Sequence, residues 1–223
     1  MKKNILKLSA LIIISFLFFS CKNVSDNNDK VASPDAKPLV EKPNNNNLSN
    51  QSETVEIRGL EWTTKNLDVS RYRNGDIIPE VKDPKEWASL TTGAWCNYDN
   101  NKQNEYLYGK LYNWYAVTDS RKLCPDGWDV PTNAEWTILT TYLGGTGTSL
   151  ISDIGGKMKS TGTTYWNFES TGTNNSSGFS ALPGGFRRND GSFGSISYGA
   201  FFWSATEDVN NAWFRYLNDY NGN

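Results

Sequence analysis

The stretch CPDGWDVPTNAEWTILTTYLGG, residues 124–145, dictates its own local shape more firmly than any other part of the chain. Pro125 and Pro131 fix backbone torsions at both ends of the DGWDV loop. Thr132 followed by Glu135 is a capping box: the hydroxyl accepts from the amide three residues on, and the carboxylate reaches back to the Thr132 amide. Trp136, Leu139, Thr140 and Leu143 then recur at the spacing of one buried helical face. Gly144-Gly145 ends the helix by supplying a left-handed residue without steric cost. A stiff loop plugged from beneath by Trp128 therefore feeds a capped helix, and Glu135 reads as a cap rather than a catalytic acid.

The flanking segments are short and of mixed type. TVEIRGLEWTTKNL (54–67) alternates Val55, Ile57 and Trp62 as a hairpin turning at Gly59. GAWCNYDN (93–100) reads as a strand running into a polar loop, and EYLYGKLYNWYAVT (105–118) as an aromatic strand, with a short helix as the alternative and Gly109 at a bulge or close approach. SLISDIGGKMKS (149–160) is a second, weaker helix interrupted by Gly155-Gly156. GFSALPGGFR (178–187) is a strand broken at Pro183, and GAFFWSATE (199–207) with AWFRYL (212–217) make an antiparallel pair. Thr-Gly-Thr at 146, 161 and 171 is unequally spaced and marks loops, not a repeat array. The expected class is α+β, with short antiparallel strands, two helices and long Gly-rich loops.

All nine tryptophans and all eleven tyrosines lie beyond residue 54, so the 223-residue chain is divided. Residues 1–20 carry Lys2, Lys3 and Lys7, then an apolar run from Leu11 to Phe19 broken only by Ser15: a signal peptide, too short to span a membrane. Cys21 follows where bacterial lipoprotein signals place the acylated cysteine, which implies a lipid-anchored cell-envelope protein at the outer membrane or cell surface. Residues 22–53 hold eight asparagines, three prolines and no aromatic residue, too little apolar surface to order the chain, so 21–53 is expected to be a disordered tether. Residues 54–223 are the folded domain. Without the signal, 19 basic residues face 24 acidic ones, 22 − 3 against 24, for a net charge of −5. That balance argues against nucleic acid as a partner.

The series YGKLYNWYAV, CPDGWDVPTNAEW, YLGG, GGKMKSTG, SSGFSALPGGFR, FFWSATE and AWFRYL closely resembles the Fibrobacter succinogenes major paralogous domain, over nearly all of 54–217 and in the right order. The resemblance implies a C-type-lectin-like fold, distantly similar to the formylglycine-generating enzymes, whose Leu-Pro-Thr-Glu-Ala-Glu-Trp motif VPTNAEW echoes. It implies no biochemistry. Two departures stand out: Asp129 replaces the usual His, and the family's closing strand, carrying Val-Arg-Cys, does not follow AWFRYL. An exposed sheet edge is expected where that strand would pair.

With Cys21 acylated, Cys96 and Cys124 remain. They pair with each other or stay reduced in the core, or Cys124 is orphaned from the cysteine of the family's closing strand. The chain has no histidine, so Ser-His-Asp and Cys-His catalysis are unavailable, and two thiols alone make a poor zinc set. Cysteine chemistry of the formylglycine type is not carried over, because no cysteine follows Cys124. Asp126, Asp129, Glu135, Glu207 and Asp208 each have a structural role available as turn former, cap or loop residue. No enzyme, cofactor or metal is expected; calcium at Asp99, Asn100 and Asn101 or at Glu207, Asp208 and Asn210 gives way to an acidic-turn reading. The expectation is a binding or adhesion domain for glycans, with Trp166, Asn167, Arg187, Arg188 and Trp203 as ligand contacts. The alternative is an architectural module held by envelope-protein contacts.

Overall fold

The computed structural model describes residues 21–23, 53–145, 153–168, 172–208 and 211–220. The signal segment 1–20, most of the expected tether and the second calcium candidate Asn210 lie outside them.

The opening hairpin forms as its sequence requires. Strands β2 (Thr54–Ile57) and β3 (Leu60–Thr63) pair antiparallel around Arg58 and Gly59, both with positive φ. Such a two-residue turn matches the twist of the flanking strands. The third strand of this sheet is not in the domain sequence at all: β1 (Lys22–Asn23) lies between β3 and β6 (Trp128–Asp129), giving the order β2-β3-β1-β6. Lys22 is in register with both Trp62 and Asp129. The first residues of the expected tether thus form an inner strand of this sheet.

Two disulfide expectations change with this arrangement. Cys124 is bonded to Cys21, not to Cys96, and Cys96 is free and buried. The Cys96–Cys124 pairing fails because the β3–β6 gap admits the N-terminal strand beside Cys124, while Cys96 faces Arg187 elsewhere in the core. The Cys21 sulfur, the expected site of lipid attachment, is the one bonded to Cys124 in this structure.

The middle of the chain departs from the strand expectation. After α1 (Pro84–Ser89) and β4 (Trp95–Cys96), a 3-10 turn at Tyr98–Asn100 leads into α2 (Lys102–Tyr108). β5 (Leu111–Tyr112) and α3 (Trp114–Val117) follow, so 105–118 is helix, strand, helix rather than one strand. Asn101 caps α2 by accepting from the Gln103 amide. Gly109 closes it at φ 70°, where an added Cβ would sit 2.7 Å from the Leu67 carbonyl oxygen. It is a close approach, as expected, and also a helix stop.

α4 (Asn133–Tyr142) carries the complete capping box of Thr132 and Glu135 and buries Trp136 and Leu139. α5 (Ile154–Met158) is one short turn whose glycines are buried. An added Cβ on Gly156 would meet the Gly172 carbonyl oxygen at 2.6 Å, so the glycines that weaken the helix let a loop pack on it. β7 (Gly184–Arg187) with β8 (Phe193–Ile196), and β9 (Gly199–Asp208) with β10 (Asn211–Asn218), complete the α+β architecture as antiparallel pairs.

The core is built from rings. The Trp136 ring lies 4.9 Å from Trp62, 5.9 Å from Phe179 and 5.5 Å from Phe202, joining β3, α4, a loop and β9. The indole N–H of Trp136 donates to the Trp203 carbonyl, and that of Trp203 to the Tyr112 carbonyl, so these two buried donors are satisfied, whereas the Trp62 indole N–H has no partner among the described residues.

Candidate functional site

The expected ligand contacts part company in the structure. Trp166 is buried, its indole N–H shared between Ser160 Oγ at 3.1 Å and the Ala181 carbonyl at 3.2 Å. Trp203 is buried against Trp114, with ring centroids 5.0 Å apart. Arg187 is fully buried and donates to the carbonyls of Gly191, Val81 and Lys82 at 3.1, 2.6 and 2.8 Å. Its guanidinium lies over the Trp87 and Phe193 rings. None of these three is available to a ligand, because each is occupied in satisfying or covering the core. Arg188 and Asn167 are exposed, but they stand at opposite ends of the β7–β8 hairpin: Arg188 at the turn, over Phe186, and Asn167 at the open end.

Asn167 marks the better candidate. Its amide donates to the Ser197 carbonyl at 2.7 Å, and the Asp219 amide donates to the Tyr198 carbonyl at 3.0 Å, which ties three chain segments together at one end of the domain. Around these bonds the rings face outward. Phe168 is 55% exposed, Tyr220 74%, Tyr198 43% and Tyr216 43%. Phe168 and Tyr220 have centroids 6.2 Å apart, and Tyr216 stacks at 4.5 Å on Phe201, which anchors it to the core. Large exposed rings gathered on a rigid base are the composition expected of a recognition surface.

A charged pair lies beneath this end. Lys159 is buried, donates to the Asn218 carbonyl at 2.8 Å and sits over the Trp166 ring. Burial pushes its ammonium down to about 8, with the nearby Asp219 carboxylate acting in the opposite sense. Asp219 is itself buried, with neither carboxylate oxygen hydrogen-bonded. Burial, and then the charge of Asp219, raises the Tyr216 phenol. This end therefore offers apolar faces, phenol hydroxyls and the Asn167 amide.

The corner that dominates the sequence is held from outside. Arg73 donates to the carbonyls of Cys124 and Trp128 and pairs with Asp129 at 3.2 Å and Asp126 at 3.7 Å. Nearby, Arg121 pairs with Asp119 and Asp76 across the Tyr72 ring, and its hydrogen bond holds the Asp119 carboxyl down at about 2. Asp126 and Asp129 are thus engaged in fastening the loop. Of the first calcium candidate, Asn101 caps α2 and Asn100 donates to the Lys82 carbonyl. Among the described residues no group of three or more His, Cys, Asp or Glu side chains is placed to hold a metal ion, and no helix is long and apolar enough to cross a membrane.

Phe168, Tyr198, Tyr216 and Tyr220 escaped the sequence reading. Among the expected contacts, Trp166 and Asn167 of the loop TTYWNFEST (163–171) point to this place, but Trp166 is buried and the ring two residues on is the one outside.

An α+β frame of short antiparallel pairs carries these exposed rings on its loops and strand ends. The chain belongs to the Fibrobacter succinogenes major domain family, which it matches over residues 55–221. No curated protein and no solved structure matches it.

Proposed function

We propose that this is an exported, non-catalytic binding domain of the cell envelope, with a C-type-lectin-like fold, which takes glycan on the aromatic end formed by Phe168, Tyr198, Tyr216 and Tyr220. The observation that carries this reading is the outward Phe168–Tyr220 pair beside Asn167, on a base fixed by backbone hydrogen bonds. Sugar rings present C–H faces that pack on such rings, while amide and phenol groups orient the hydroxyls. Export rests on the signal-like residues 1–20.

The test is retention on immobilised polysaccharides and a glycan array, with the wild-type chain beside Phe168→Ala/Tyr220→Ala. Loss of retention by about tenfold or more, with the unfolding temperature held within about 2 °C, is the expected result. Retention that survives the double substitution, or no retention of any glycan, removes this reading. A second reading, an architectural module docked on an envelope protein, draws on exposed Ile138 and Tyr142, which lie one helical turn apart on α4. Co-purification of one envelope protein, abolished by Ile138→Asp, would favour it.

A further inference from the structure

We infer that Cys21 is a structural cysteine of the exported protein: residues 21–23 are a clasp that closes the gap between β3 and β6, and the Cys21 sulfur is committed to Cys124 instead of to an acyl group. The inference rests on the export reading above for the oxidising compartment that a disulfide needs. Four observations on different atoms converge on it. Cys21 is almost wholly buried. Its carbonyl accepts from the Thr63 amide at 3.1 Å. Lys22 and Asn23 are paired to strands on both sides, so the segment is an inner strand and not an edge. The sulfur itself is bonded to Cys124 across a separation of 103 residues.

Acylation would require the same sulfur to leave this site. A thioether-linked glyceryl chain would have to occupy the space where Cys124 sits, inside the core, and the strand could not stay seated. Closure is a thiol–disulfide exchange. The thiols of Cys21 and Cys124 give up two protons and two electrons to the disulfide of an oxidoreductase in the exported compartment, which leaves as a dithiol. Cys96 takes no part, because burial pushes its thiol up to about 12.

The experiment is to express the full chain with its own leader, recover it from the envelope fraction under thiol-blocking conditions, and map it by intact mass and non-reducing digestion. The expected result is a Cys21–Cys124 linked peptide, no diacylglyceryl mass, and a single thiol, Cys96, that labels only after unfolding. Cys21→Ser and Cys124→Ser are each expected to lower the unfolding temperature by roughly 5–15 °C, and the double variant by no more than either alone. A diacylglyceryl group on Cys21, Cys124 linked to Cys96, or a Cys21→Ser chain with unchanged unfolding temperature overturns the clasp. A leader still attached to the recovered chain defeats the export reading instead, and the linked peptide then decides the clasp on its own.

Discussion

At the scale of the residue, Arg187 and Cys96 show how much of this core is polar chemistry placed under cover. Arg187 reaches back 105 and 106 residues to the carbonyls of Lys82 and Val81, which no ladder satisfies, and fills the space between the Trp87 and Phe193 rings. A lysine has one point charge where the guanidinium has a fork. Arg187→Lys is expected to cost on the order of 1–3 kcal/mol in chemical denaturation, because a single ammonium cannot serve the Val81, Lys82 and Gly191 carbonyls together. Cys96 makes a pH prediction. Its thiol is raised by burial to about 12 from an ordinary value near 9, Arg187 acting in the opposite sense. A raised acid contributes stability that is whole below pH 9 and is lost as the pH climbs toward 12. The wild type should therefore lose on the order of 2–3 kcal/mol more than Cys96→Ala between pH 8 and pH 11, measured as urea midpoints; equal slopes would refute it. A reduced core Cys96 was one of the readings the sequence offered, but the role of Arg187 was not legible there. Arg187 looks like a ligand contact there because the carbonyls that need it lie a hundred residues upstream.

Elements whose signals are local were legible, and those whose signals are shared were not. The capped α4, the Arg58-Gly59 hairpin and the β9–β10 pair follow from residues within a few positions of one another. Thr132→Ala removes the hydroxyl that accepts from the Glu135 amide and is expected to cost about 1 kcal/mol, while Glu135→Gln, which keeps an acceptor, should cost less. Equal losses for the two would mean that the carboxylate charge, not the cap geometry, matters at this helix start. The segment 105–118 misled because its aromatic residues fit either period. Tyr106 and Leu107 point out, while Tyr108 and Tyr112 are buried. Only the Asn101 cap and the Gly109 stop distinguish the helix from a strand.

The whole molecule is organised around Trp136. Its contacts run from Trp62 to Phe202, so this one ring joins segments 140 residues apart, 202 minus 62. Trp136→Ala should cost on the order of 3–5 kcal/mol and remove the cooperative transition in thermal unfolding, whereas Trp136→Phe should keep the transition at a lower midpoint. The recognition end could not be read at this scale, since burial decides which ring of TTYWNFEST faces water, and burial depends on partners contributed by 181 and 160. The ring stack also sets a clock. Until Phe202 arrives, Trp136 has no roof, and long-range closure of this kind is slow. The core therefore cannot close before the segment that carries Phe202 has been made.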